Sequence, residues 1–71
     1  MKNMVWLDLS ADWVGTITAG LPTDKEYNPF VEINGFGIWF NLAQFNALKE
    51  VLVKAISNPG EQPEVRYKNG R

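Results

Sequence analysis

Cysteine and histidine are both absent from this chain of 71 residues. Without them the chain forms no disulfide and lacks the residues that hold most structural zinc ions. The imidazole base and the thiolate nucleophile of most hydrolytic enzymes are missing too, which leaves only carboxylate, lysine or tyrosine chemistry. We therefore expect a protein that is not an enzyme and that carries no cofactor and no metal ion.

A basic excess is also missing, because seven lysines and arginines stand against eight aspartates and glutamates, a net charge of −1. Residues 1–40 hold two lysines and five acidic residues, a net charge of −3. Nucleic acid attracts proteins with the opposite charge pattern. The charge therefore argues against a nucleic-acid partner and favours a partner with a basic surface.

Long apolar runs are the third absence. The longest uncharged stretch, residues 33–48, is sixteen residues long and contains four asparagines and glutamines, so it is too short and too polar to span a bilayer. Asp8 and Asp12 interrupt the start of the chain, where a secretory signal would be continuously apolar. We expect no contact with a membrane and a cytoplasmic location.

The residues that are present predict one small α+β domain over residues 1–60, with residues 61–71 forming either a frayed tail or a short edge strand. Strand-forming runs group into two hairpins, at residues 4–18 and 30–40. The eleven residues between them, 19–29, are rich in glycine, proline, aspartate and asparagine, as loops are. In the first hairpin the turn is predicted at Ser10-Ala11.

Asn34-Gly35 gives the strongest signal in the chain. Both residues tolerate the positive φ that a two-residue type I′ turn requires. This turn places Ile33 opposite Phe36 and, at the far end, Phe30 opposite Trp39. One face of the hairpin then holds Val31, Ile33, Phe36, Ile38 and Phe40, and the other holds Phe30, Glu32, Gly37 and Trp39.

A helix is predicted to follow, capped by Asn41 with Gln44 completing a capping box, and to end at Ser57. Its apolar residues recur at steps of three and four: Leu42, Phe45, Leu48, Val51, Leu52, Ala55 and Ile56. We expect this stripe to pack on the aliphatic face of the second hairpin. The complete prediction is a four-stranded antiparallel sheet of two sequential hairpins with one C-terminal helix on one face.

The helix would leave the other face of that sheet uncovered. If Ser10-Ala11 is a two-residue turn, the uncovered face holds Met4, Trp6, Trp13, Ile17, Phe30 and Trp39, with Gly15 opposite Trp6. A slip of one residue in the first hairpin would instead bury Trp6 and Trp13 in an ordinary core. Both arrangements leave Trp39 beside Phe30, and contiguous exposed aromatic surface is typical of interaction sites.

Acidic residues supply the other candidate contacts. Asp24, Glu26 and Tyr27 lie in the long loop, where binding residues are often found, while Asp8 and Glu32 lie in the predicted strands. Asp8-x-Ser10-x-Asp12 resembles the opening of a calcium loop. However, Trp13 and Ala19 stand where such a loop requires glycine and glutamate, so a turn between strands is the better interpretation.

These residues indicate a small interaction protein that binds, and by binding inhibits, a protein or ribonucleoprotein partner through an acidic, aromatic face. In size, in its lack of cysteine and histidine, and in its strand-rich layout with one helix, the chain resembles small phage accessory proteins, including anti-CRISPR and other anti-defence inhibitors. Two alternatives stay open: a homodimer or ligand-sequestering oligomer, and a single-stranded nucleic-acid binder that stacks bases on tryptophan.

Overall fold

The structure is a computed structural model that describes residues 4–69. Its elements in chain order are β1 (Ile17–Gly20), β2 (Phe30–Ile33), β3 (Phe36–Trp39) and α1 (Leu42–Ser57). The strands form one antiparallel sheet in the order β1-β2-β3. The general class, α+β with a C-terminal helix, is as expected.

The hairpin of β2 and β3 has the predicted register. Asn34 and Gly35 have φ values of 46° and 88°, which suit the expected turn. Ile33 pairs with Phe36 and Phe30 with Trp39. This register separates two faces that we name by their side chains. Ile17, Ala19, Val31, Ile33, Phe36 and Ile38 form the aliphatic face, and Thr18, Gly20, Phe30, Glu32, Gly37 and Trp39 form the aromatic face.

The prediction of a four-stranded sheet is wrong, because residues 4–16 form no strand. The first strand begins at Ile17, later than predicted. It pairs with β2, as the sequential strand order predicts, but it has no N-terminal neighbour among residues 4–16. Gly20 explains this pairing in part. Its partner is Phe30, and a Cβ atom added at Gly20 would overlap the Phe30 ring. A side chain at position 20 would therefore collide with the ring that covers it.

The N-terminal segment, residues 4–16, is tied to the sheet through Asn34. The Asn34 side-chain oxygen accepts a hydrogen bond of 2.9 Å from the Thr16 amide, and its nitrogen donates one of 2.9 Å to Asp12. The Asn34 backbone amide also donates to the Thr16 carbonyl, at 3.1 Å. One turn residue therefore fixes the end of this segment that lies next to β1.

Helix α1 begins and ends where the sequence predicts. The Asn41 side chain accepts a hydrogen bond of 2.8 Å from the Gln44 amide, and the Gln44 side chain accepts one of 3.0 Å from the Asn41 amide. This reciprocal pair is the predicted capping box. At the other end, the Asn58 amide donates to the Lys54 carbonyl.

Residues 61–69 form no strand and lie along the helix as an irregular segment. Pro63 and Val65 are half-buried there. Gln44 donates a hydrogen bond of 3.0 Å from its side-chain nitrogen to the Tyr67 hydroxyl, and the Asn41 amide group contacts Asn69. The tail is therefore held at the helix N-terminus by two residues that also cap the helix.

Candidate functional site

The aromatic face holds a pair of rings, the half-buried Phe30 and the exposed Trp39. Phe30 and Trp39 lie directly across the β2–β3 hairpin, with ring centroids 5.8 Å apart and planes at 67° to each other. This edge-to-face arrangement is one that aromatic pairs prefer. Trp39 remains 67% exposed. The register set by Asn34-Gly35 thus brings two of the predicted partner-binding residues together.

The other two tryptophans do not join this pair. Trp6 and Trp13 lie in the N-terminal segment, outside every strand, and are 82% and 99% exposed. Ile17 is also misplaced in the prediction, because it pairs with Ile33 and belongs to the aliphatic face. The expected face carrying all three tryptophans, with Gly15 opposite Trp6, is therefore wrong. Burial of Trp6 and Trp13 by a slipped register is equally wrong.

Acidic residues lie beside the ring pair and in the loop before it. Glu32 lies on the aromatic face and pairs with Gly37, which is two residues before Trp39 in β3. In the loop, the Asp24 carboxylate accepts a hydrogen bond of 3.0 Å from the Glu26 amide, and the Asp24 carbonyl accepts one from the Tyr27 amide. These contacts form a local turn whose side chains are all exposed.

Asp8 lies in a second local turn. Its carboxylate accepts hydrogen bonds from the Ser10 hydroxyl at 2.6 Å and from the Ser10 amide at 2.9 Å. These bonds, with the hydroxyl contributing more, lower the pKa of Asp8 below its ordinary value. Among residues 4–69, no three acidic side chains converge as a cation site would require. Asp8-x-Ser10-x-Asp12 is thus arranged as a turn.

An apolar groove separates the aliphatic face from the helix. Its volume is about 660 Å³. Six side chains from the sheet side line it: Ile17, Ala19, Val31, Ile33, Ile38 and Phe40. Four from the helix line the opposite wall: Phe45, Leu48, Lys49 and Leu52. We call this space the aliphatic groove.

The two walls of the aliphatic groove do not close on each other. Extensive contacts between elements occur only between neighbouring strands. No apolar side chain apart from Pro29 is buried anywhere in residues 4–69. The sequence predicts these same side chains as a packed core, and the open groove is the feature that this prediction missed. The periodicity of these apolar side chains shows that one face must be buried, but it does not identify the surface that buries it.

None of the described helices is both long enough and apolar enough to cross a membrane. No protein-family model, no curated protein and no solved structure matches this chain.

Proposed function

We propose that this protein binds a macromolecular partner through the aromatic face and inhibits that partner by occupying its surface. The observation that carries the proposal is the Phe30–Trp39 pair, in which the exposed Trp39 ring lies against the half-buried Phe30 ring. Tryptophan is among the residues that dominate binding energy, because one rigid side chain buries a large area at a small entropic cost. The β2–β3 hairpin holds this pair in a fixed orientation before binding.

Charge supports a partner with a basic surface, either a protein or a ribonucleoprotein. Glu32 lies on the same face as the rings, and Asp24 and Glu26 lie in the loop that leads into β2. Acidic groups around an aromatic anchor steer the approach of a positive surface and slow the approach of nucleic acid. Glu32, Asp24 and Glu26 would then take the place of nucleic acid on the surface of the partner.

An inhibitor of this kind acts without catalysis and without a cofactor, as do the phage anti-defence proteins that the chain resembles in general character. Its site of action would be the cytoplasm, where such targets are found. Trp6, Trp13 and Asp8 would contribute from the N-terminal segment, as secondary contacts outside the aromatic face.

Capture of partners from lysate of the host cell tests the proposal with three proteins: the wild type, Trp39→Ala and Val53→Ala. Val53 lies on the helix, is 56% exposed and does not line the aliphatic groove, so it is the matched control. Loss of a tryptophan anchor costs ~2 kcal/mol or more, which is about a 30-fold loss of affinity. We expect Val53→Ala to capture the wild-type partner and Trp39→Ala to lose it.

Charge reversal and an activity assay complete the test. Glu32→Lys should slow association with the captured partner, and raising the salt concentration should reduce the difference from wild type. The purified partner should lose its activity in proportion to bound protein. Equal capture by Trp39→Ala and wild type would contradict the proposal, as would quenching of tryptophan fluorescence by an oligonucleotide at low salt.

A further inference from the structure

We infer that a second copy of this chain fills the aliphatic groove, so that the folded unit is a homodimer. The groove lies on the face of the sheet opposite to Phe30 and Trp39. This inference is therefore independent of the proposed partner, which would bind the aromatic face.

The exposed area of one chain is too large for a folded monomer. The chain exposes 6948 Å², whereas a globular protein of 8.0 kDa exposes about 4,400 Å². The radius of gyration agrees, at 14.1 Å compared with about 11 Å for a compact chain of this length. The excess is about 2,500 Å² for each chain, and the N-terminal segment, the aromatic face and the aliphatic groove share it.

That excess indicates the kind of occupant. Two copies that covered it on each other would bury about 5,000 Å² in total, and half of that would already place the interface among obligate homodimers. A partner with an interface of standard size buries about 1,600 Å² in total, about half of it on this chain, which would leave most of the excess exposed. Obligate homodimer interfaces resemble a domain core cut in half, and the aliphatic groove has this composition.

The chain itself carries the surface that would fit. Among the described residues that line the groove, Lys49 alone is charged, so the occupant must be apolar over nearly all of its contact. Phe45, Leu48 and Leu52 form such a ridge on the helix. In a dimer with two-fold symmetry, the ridge of each copy would enter the groove of the other. A net charge of −1 adds little repulsion between copies.

Sedimentation analysis of the full chain tests the inference with a matched pair of variants, Ile17→Glu and Val53→Glu. Ile17 lines the groove and is 75% exposed in the single chain, so a glutamate there faces water in a monomer but is buried against apolar side chains in the dimer. Val53 lies outside the groove. We expect wild type and Val53→Glu to sediment as dimers at micromolar concentration, and Ile17→Glu to dimerise at least ~100-fold more weakly.

Thermal unfolding gives a second readout that does not depend on the variants. The Tm of a protein whose core forms between two copies rises with protein concentration, whereas the Tm of a monomer does not. A wild-type species of one chain with a constant Tm would overturn the inference. Equal dimerisation by Ile17→Glu and Val53→Glu would also overturn it, because the groove would then lie outside the interface. If Ile17→Glu fails to fold, the Tm series on wild type decides.

Discussion

Residues 30–39 and residues 4–16 hold similar side chains, since both regions are rich in aromatic and branched apolar residues, yet only the first forms strands. The hairpin has a turn whose two residues adopt positive φ, and each of its strands has a hydrogen-bonded neighbour. The N-terminal segment has a turn at Ser10-Ala11 but no strand beside it. Strand-forming side chains are therefore not enough by themselves, because each strand also needs a neighbour with free backbone groups, and in the hairpin the tight turn supplies that neighbour.

Gly35→Val should have the largest effect on stability, because it disrupts the tight turn with two positive φ values, which the N-terminal segment lacks. A branched side chain at φ 88° costs ~1–3 kcal/mol, a large share of the ~3–5 kcal/mol expected for a domain of this size. Urea unfolding followed by circular dichroism should show this loss. Gly37→Val is the control, because its new Cβ would meet no atom closer than 3.9 Å. Equal losses in both variants would show that the turn does not set the hairpin.

Asn41→Ala should have the next largest effect on stability. It tests whether the helix depends on local hydrogen bonds. The substitution removes the side-chain acceptor of the capping box, which typically costs ~1 kcal/mol. The free energy of unfolding from urea titration measures this loss. Asn41→Ser retains an acceptor and should recover most of it. An unchanged stability in Asn41→Ala would mean that the helix start is held by the tail instead.

Asn34→Gly should have a smaller and more local effect, because it removes the side-chain hydrogen bonds between the N-terminal segment and the hairpin but keeps the turn. Glycine tolerates the positive φ of position 34, but it cannot accept from the Thr16 amide or donate to Asp12. We expect the Thr16 amide to exchange its hydrogen at least several-fold faster, while the amides of β3 stay protected. If the Thr16 amide exchanges as in wild type, the Asn34 side chain does not hold the N-terminal segment.

Ser10→Ala should have the smallest effect. It removes the hydroxyl that contributes most to the lowered pKa of Asp8, so that pKa should rise toward its ordinary value. An NMR titration of the Asp8 carboxyl measures the shift. Because the folded pKa is lowered, the turn stabilises the protein above the pKa of the unfolded chain. That contribution disappears as the pH falls through the folded pKa. A pKa unchanged by Ser10→Ala would show that the Ser10 hydroxyl does not bond to Asp8 in solution.

Features set by neighbouring residues could be predicted from the sequence. Asn34-Gly35 identified both the turn and the pairing of Phe30 with Trp39, and Asn41 with Gln44 identified the start of the helix. Each of these signals acts within a few residues, through backbone dihedrals or a local hydrogen bond.

Pairing between distant segments could not be predicted in the same way. The sequential order of the sheet did predict that the strand before the long loop lies beside β2, but the register of this pair, with Gly20 beneath the Phe30 ring, was not predicted. The sequence carries a signal for this, since a large ring often covers a strand glycine, but Gly15 and Trp6 offer the same combination. The same difference applies to the candidate site. Trp39 and Phe30 meet because the turn between their strands sets the register, whereas the predicted position of Trp6 depended on a distant pairing that does not form.

The Gln44 side chain caps the helix and also reaches Tyr67. We expect these two contacts to form in a fixed order during folding. The contact of Gln44 with the Asn41 amide joins residues 3 apart in sequence, while its contact with the Tyr67 hydroxyl joins residues 23 apart. Closing the longer loop costs more entropy, and the Gln44 donor group is in place only after the first helical turn has formed. We therefore expect the C-terminal segment to dock after the helix has nucleated and to detach before the helix unwinds.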